Sequence, residues 1–273
     1  MTSPDGITWT SRPSAANNAW RSVCWASEIS LFVAVAQTGP GNRVMTSPNG
    51  IDWTIQSSAA DKQWSSVCWS PQLSLFVAVC TDGSIGDAVM TSPNGINWTL
   101  RIITNANMWS YVCWSPELGL FVAVSLNGTG NRVMSSPDGI TWTRRTSAAD
   151  NEWTCVCWSP QLGLFVAVSL NGTGNRVMSS PDGITWTTRT SAADNHWTCV
   201  CWSPQSESFV AVSLTGTGNR VMSSPDGITW TTRTSAADND WRSVCWSQQL
   251  GIFVAVSSSG TSNRVMTCLP SPL

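Results

Sequence analysis

A motif of seven residues, Ser-Pro-(Asp or Asn)-Gly-Ile-x-Trp, begins at Ser3, Ser47, Ser92, Ser136, Ser180 and Ser224. The successive spacings are 44, 45, 44, 44 and 44 residues. A period of this size, kept over the whole chain, means one supersecondary unit stacked on copies of itself. A second motif has the same period: Val-Cys-Trp followed by Phe-Val-Ala-Val, with its Trp at 25, 69, 114, 158, 202 and 246. A third Trp series comprises Trp20, Trp64, Trp109, Trp153, Trp197 and Trp241. With the motif Trp at 9, 53, 98, 142, 186 and 230, the three series account for all 18 Trp of the 273 residues.

One unit divides into four strands and no helix. Residues 153–159 are rich in β-formers, and Pro160-Gln161-Leu162-Gly163 turns the chain. Residues 164–170 make a second strand, apolar on both pleat faces: Leu164, Val166 and Val168 on one, Phe165 and Ala167 on the other. A strand of this kind is buried from both sides, so each small sheet must be sandwiched between neighbours. Asn171-Gly172-Thr173-Gly174-Asn175 is a loop, 176–180 a third strand, Pro181-Asp182-Gly183 a turn and 184–189 a fourth strand. The link 190–196 reaches the next unit. Four strands, repeated six times and stacked face to face, predict an all-β, six-bladed β-propeller formed by residues 1–273 as one domain. The chain starts inside the motif and stops after a third strand, so the N-terminal strand at 7–12 is expected to complete the last blade and close the ring.

The motif resembles the Asp-box, or BNR, repeat of sialidases, sortilin-type receptors and photosystem-assembly propellers. Ser180-Pro181-Asp182-Gly183-Ile184-Thr185-Trp186 is one residue shorter than the family pattern between Asp and the aromatic residue, and Asn49 and Asn94 replace Asp in two copies. The resemblance implies that Asp5, Asn49, Asn94, Asp138, Asp182 and Asp226 sit structurally in the turn between third and fourth strands. It also implies that ligands bind the opposite face.

Strand alternation places the Pro-Gln-Leu-Gly turns and the boxes on one face and the Asn-Gly-Thr-Gly-Asn loops and the links on the other. The second face is expected to carry Trp20, Trp64, Trp109, Trp153, Trp197 and Trp241 at the mouths of the innermost strands. Beside them stand Asn131, Asn175, Asn219, Arg132, Arg176, Arg220, Asp150, Asp194 and Asp238. Aromatic faces with amide and carboxylate partners suit sugar rings, so these residues are the candidate ligand site, and near-equivalent copies would make it multivalent. The blander reading is that Asn and Gly make turns, Trp fills space and each Arg pairs with a link Asp. Residues 119–162 and 163–206 differ at three positions: Arg144/Thr188, Glu152/His196 and Leu162/Ser206. The position before the third Trp series differs in every copy: Ala19, Gln63, Met108, Glu152, His196 and Asp240. It is read as surface without constraint, the other reading being recognition.

Residue counts narrow the chemistry. Lys, His and Tyr occur once each, at Lys62, His196 and Tyr111, and Glu only at 28, 117, 152 and 207. No catalytic constellation is recognisable, and a Tyr111–Glu152 pair, Glu152 as the lone link glutamate, and His196 as a base are the only fragments of one. No spacing of ligand residues suits a metal, and no phosphate loop is present, so neither metal nor cofactor is expected. A net charge of −2 gives no signal for nucleic acid or an anionic membrane. The expected function is a non-enzymatic, monomeric binding or scaffold module, most of all for glycans. A glycoside hydrolase of sialidase type and a protein-interaction scaffold are the alternatives. The ten Cys read as buried free thiols, which favours the cytoplasm or another intracellular compartment, with secretion left open by three glycosylation sequons. No signal peptide and no membrane-spanning run is visible.

Overall fold

A computed structural model describes residues 1–83, 86, 88–104 and 107–269. They form six small antiparallel sheets, one per repeat, in the architecture of a six-bladed β-propeller. The chain folds as two compact units. The first comprises Met1–Thr2 and Trp9–Arg145; the second comprises Ser3–Thr8 and the described residues from Thr146 onward.

The first unit holds three four-stranded blades. They are β1 (Trp20–Ala26), β2 (Leu31–Ala36), β3 (Val44–Ser47) and β4 (Thr54–Gln56); then β5 (Trp64–Ser70), β6 (Leu75–Cys80), β7 (Val89–Ser92) and β8 (Thr99–Arg101); then β9 (Trp109–Ser115), β10 (Leu120–Ser125), β11 (Val133–Ser136) and β12 (Thr143–Arg145). A short 3-10 turn, Ser27–Ile29, joins β1 to β2.

The second unit holds β13 (Trp153–Ser159), β14 (Leu164–Ser169), β15 (Val177–Ser180) and β16 (Thr187–Arg189) in its first blade. Its second blade is β17 (Trp197–Ser203), β18 (Ser208–Ser213), β19 (Val221–Ser224) and β20 (Thr231–Arg233). Its third is β21 (Trp241–Ser247), β22 (Ile252–Ser257) and β23 (Val265–Cys268).

The expected burial of the second strand is present: Phe165, Val166, Ala167 and Val168 are wholly buried. Phe165 lies between two indoles of its own blade, 4.6 Å from Trp158 and 6.3 Å from Trp186, both tilted. The same Trp–Phe–Trp arrangement recurs around Phe32, Phe76, Phe121 and Phe209. Three Trp series are therefore needed: two fill blade interiors, and the third anchors the innermost strand. A bulge between Trp153 and Cys155 sets Thr154 out of register. Its Oγ1 then donates to Val168 O at 3.0 Å and to Trp197 O of the next blade at 2.8 Å.

Neighbouring blades also meet through their indoles and glycines. Trp202 Nε1 donates to Gln161 Oε1 at 2.7 Å, and in the first unit Trp69 Nε1 donates to Glu28 Oε2 at 2.7 Å. Gly227 has φ +69, and a Cβ there would stand 2.8 Å from Leu164 Cδ2. Only glycine fits a left-handed turn pressed so closely on the preceding blade.

Two expectations need correction. The fourth strand starts at Thr187, not at Ile184, because Asp182 Oδ1 accepts the amides of Ile184 and Thr185 at 2.8 and 2.7 Å. Those amides are held in the turn and cannot join the ladder. Nor does the segment 7–12 complete the last blade: among the described residues, β21–β22–β23 is a three-stranded sheet. Thr10 finds its partner locally instead. It exchanges backbone bonds with Thr2 at 2.9 and 2.8 Å, a short loop that costs little entropy to close. The turn of this hairpin rests on the last blade, where a Cβ on Gly6 would meet Ile252 Cδ1 at 2.6 Å.

Candidate functional site

Each blade has a box end and a loop end, and most polar side chains at both ends hold the backbone. At the box end Ser180 Oγ accepts the Gly183 amide at 2.8 Å and donates to Asp182 Oδ1 at 2.9 Å. Burial would raise the Asp182 carboxyl, but the amides of Thr185 and Ile184 outweigh it and hold the group below the usual carboxylate range. Asp138 and Asp226 sit in the same balance. Asp5, fully exposed, is brought to about 2 by the amides of Thr8 and Ile7. Asn49 and Asn94 make the neutral version of the turn: their Oδ1 atoms accept from Ile51 and Asp52, and from Ile96 and Asn97.

At the loop end the residues expected to meet a glycan are taken up in the same way. Arg176 donates through Nε to Gly172 O at 2.8 Å and through Nη1 to Leu170 O at 2.7 Å, and stands 3.6 Å from Asp194. Arg220 repeats this with Gly216, Leu214 and Asp238, and Arg132 with Gly128 and Leu126. Asp194 and Asp238 accept the amides of Gly174 and Gly218 at 2.7 and 2.8 Å. Asn131, Asn175 and Asn219 accept, through the backbone carbonyl and through Oδ1, from Nδ2 of Asn107, Asn151 and Asn195 of their own blades. Asp150 is exposed. Trp64, Trp109, Trp153, Trp197 and Trp241 are wholly buried, and Trp20 half-buried. Trp153 Nε1 donates to Ala149 O at 3.0 Å, and Trp20 Nε1 to Ala16 O at 3.0 Å. The five wholly buried rings offer no face on which a sugar could stack.

One loop-end position is built differently. The residue before each buried Trp is locked through its backbone while its side chain is left to vary. In the second unit the amide of Glu152 donates to Asn171 Oδ1 at 2.7 Å, and its carbonyl accepts from Leu170 N at 3.0 Å. His196 is held by Thr215 Oγ1 at 2.9 Å and Leu214 N at 3.0 Å. Asp240 is held by Ser259 Oγ at 2.7 Å and Ser258 N at 3.1 Å. His196 is exposed and Glu152 and Asp240 are half-buried. Asp240 Oδ1 also lies 3.3 Å from Arg220 Nη1. The position was read from sequence as surface without constraint.

Other features are plainer. Among the described residues no group of three or more His, Cys, Asp or Glu is placed to hold a metal ion. No helix among them is long and apolar enough to cross a membrane. All ten Cys are free thiols, but only Cys80, Cys155 and Cys199 are buried; five are half-buried, and Cys245 and Cys268 are exposed. Buried thiols in general therefore do not describe this set.

No family model matches the sequence, and no curated protein matches it. Solved structures do match in fold. A gluconolactonase of Xanthomonas campestris aligns with a TM-score of 0.62 at 12% identity, over 89% of this chain and 84% of its own. A GH74 enzyme of Niastella koreensis aligns with a TM-score of 0.70 at 16% identity, over 92% of this chain but 45% of its own, so this chain spans less than half of that one. Hydrazine synthase of Kuenenia stuttgartiensis aligns with a TM-score of 0.68 at 11% identity, over 89% and 75%. At such identities the likeness defines the fold. The expectation of a non-enzymatic glycan-binding or scaffold module is corrected by these findings: these propellers of like fold are enzymes.

Proposed function

We propose that this chain is a hydrolase acting on a carbohydrate-derived substrate, a glycoside or a sugar lactone, at the loop ends of its second unit. One observation carries the reading. In a frame repeated almost residue for residue, a single rigidly held position presents Glu152, His196 and Asp240 in three consecutive blades. Glu152 is cast as the base that takes a proton from the attacking water, and His196 as the acid that returns one to the leaving oxygen. Asp240, beside Arg220, is cast as the group that orients the substrate. Sites on strand ends with both backbone groups fixed keep such side chains in place. The gluconolactonase and the GH74 enzyme support the choice of hydrolysis and of a sugar-derived substrate by their fold.

The test is turnover of a panel of sugar lactones, followed by proton release, and of oligosaccharides, followed by new reducing ends. Glu152→Gln and His196→Ala are each expected to lower kcat/KM by about 100-fold, with the Tm unchanged. No turnover of either panel by the folded wild-type protein, or full activity in both variants, overturns the reading.

A further inference from the structure

The third residue of each innermost strand is Ser22, Ser66, Tyr111, Cys155, Cys199 and Ser243. In the first two blades it is Ser, and the hydroxyl faces the following blade: Ser22 Oγ accepts the Val67 amide and Ser66 Oγ the Val112 amide, each at 3.2 Å. In the first blade of the second unit a thiol takes over, and Cys155 Sγ accepts the Val200 amide at 3.4 Å. The following blade also has Cys at this position. The two sulfurs therefore meet, with Cys155 Sγ 3.6 Å from Cys199 Sγ. Both residues are buried, 0% and 3% exposed.

We propose that Cys155 and Cys199 form a redox-active pair, which a hydroperoxide closes into a disulfide joining the two blades. Cys199 is the attacking sulfur. Burial pushes the Cys155 thiol up, so it keeps its proton; the S–H that it donates brings Cys199 below the usual thiol range. The Cys199 thiolate attacks the peroxide, the S–O bond forms, the O–O bond breaks, and with a proton water or an alcohol leaves. The product is a sulfenic acid. Cys155 then attacks that sulfur: the S–S bond forms, the S–O bond breaks, and the hydroxide leaves as water with the proton of Cys155. Two thiols lose two electrons, and the peroxide gains them. The sulfurs need only close from 3.6 Å to roughly 2.05 Å. The fifth-position thiols take another course: Cys113 and Cys157 turn to the carbonyls of Trp114 and Trp158, each at 3.6 Å.

The experiment is peroxide titration of the reduced whole chain, then alkylation in denaturant and peptide mapping. The expected result is one cross-linked peptide holding Cys155 and Cys199, a mass lower by two hydrogens, and a Tm higher by about 5 °C because a 44-residue loop is closed. A thiol reductant should reverse all three. Cys155→Ser and Cys199→Ser should fold, since Ser fills this position in three other blades, and neither should cross-link. In Cys155→Ser a sulfenic acid should accumulate on Cys199 and be trapped by dimedone. Full alkylation of both residues after the exposed Cys245 and Cys268 have been consumed overturns the proposal. So does a cross-link that joins either residue to a different cysteine, or one that survives in Cys155→Ser.

Discussion

The two units share one frame and differ in what they mount on it. In the first, the side chains before the buried Trp are Ala19, Gln63 and Met108, none of which is an acid or a base; in the second they are Glu152, His196 and Asp240, two carboxylic acids and an imidazole. The third position of the innermost strand is Ser22, Ser66 and Tyr111 in one unit and Cys155, Cys199 and Ser243 in the other. Two of the three boxes in residues 9–145 use Asn; those in the second unit, Asp5, Asp182 and Asp226, all use Asp. The packing beneath does not follow this division. Trp64 and Trp153 are both wholly buried, and each donates its indole N–H to an alanine carbonyl four residues back, at 3.1 and 3.0 Å. The difference teaches that the packing and the variable side chains occupy different repeat positions, so one can change while the other stays.

The largest expected effect tests the shared frame. Trp64→Ala and Trp153→Ala each delete a fully buried indole and leave an alanine carbonyl without its donor. Each should lose about 3–5 kcal/mol in denaturant unfolding. A loss in only one unit would break the comparison, since it would mean that the two frames carry unequal loads.

Most of the frame was legible because packing leaves a periodic trace. The doubly apolar run Leu164–Val168 announced a strand covered on both faces, the six copies of each Trp series marked the blade count, and the turns within one unit marked the strands. The errors have local causes. Ile184 and Thr185 look like strand residues, but the Asp182 carboxylate captures their amides. Trp153 looks like a sugar platform, but its exposure depends on the link that folds over it, and residue type does not show that. Arg176 and Asp194 look like ligand groups, but each holds loop backbone atoms and the two stand 3.6 Å from one another. The Cys155–Cys199 contact joins residues 44 apart, and only the stacking of blades brings their sulfurs together.

Acid sharpens the comparison further. The turns that carry Asp hold their carboxyls below the ordinary range, so each contributes stability that is present at neutral pH. That contribution is lost as the pH falls through the folded-state value, which for Asp5 lies at about 2. The Asn boxes contribute nothing that titrates. A triple variant, Asp138→Asn with Asp182→Asn and Asp226→Asn, should show a smaller fall in Tm than wild type between neutral pH and the acid end. Identical acid limbs in the two proteins would show that the box carboxylates play no part in acid unfolding.

The smallest effect asks what charge adds to a turn that an amide can also make. Asp182 Oδ1 accepts from Ile184, Thr185 and Ser180 at 2.8, 2.7 and 2.9 Å; Asn94 Oδ1 accepts from Ile96, Asn97 and Ser92 at 3.0, 3.0 and 3.2 Å. The ionised acceptor draws every donor closer, as charge-assisted bonds do. The turns lie at the surface with their carboxylate or amide half-buried to exposed, and solvent screens much of that gain. Asp182→Asn should therefore cost only about 0.5 kcal/mol near neutral pH, and Asn94→Asp should gain a similar amount. Both differences should vanish at low pH, where the carboxyl is protonated and can serve, like the amide, only as a neutral acceptor. Chemical denaturation of the two single variants at neutral and acid pH reads the effect. A cost for Asp182→Asn that persists unchanged in acid would assign the shorter distances to turn geometry and not to charge.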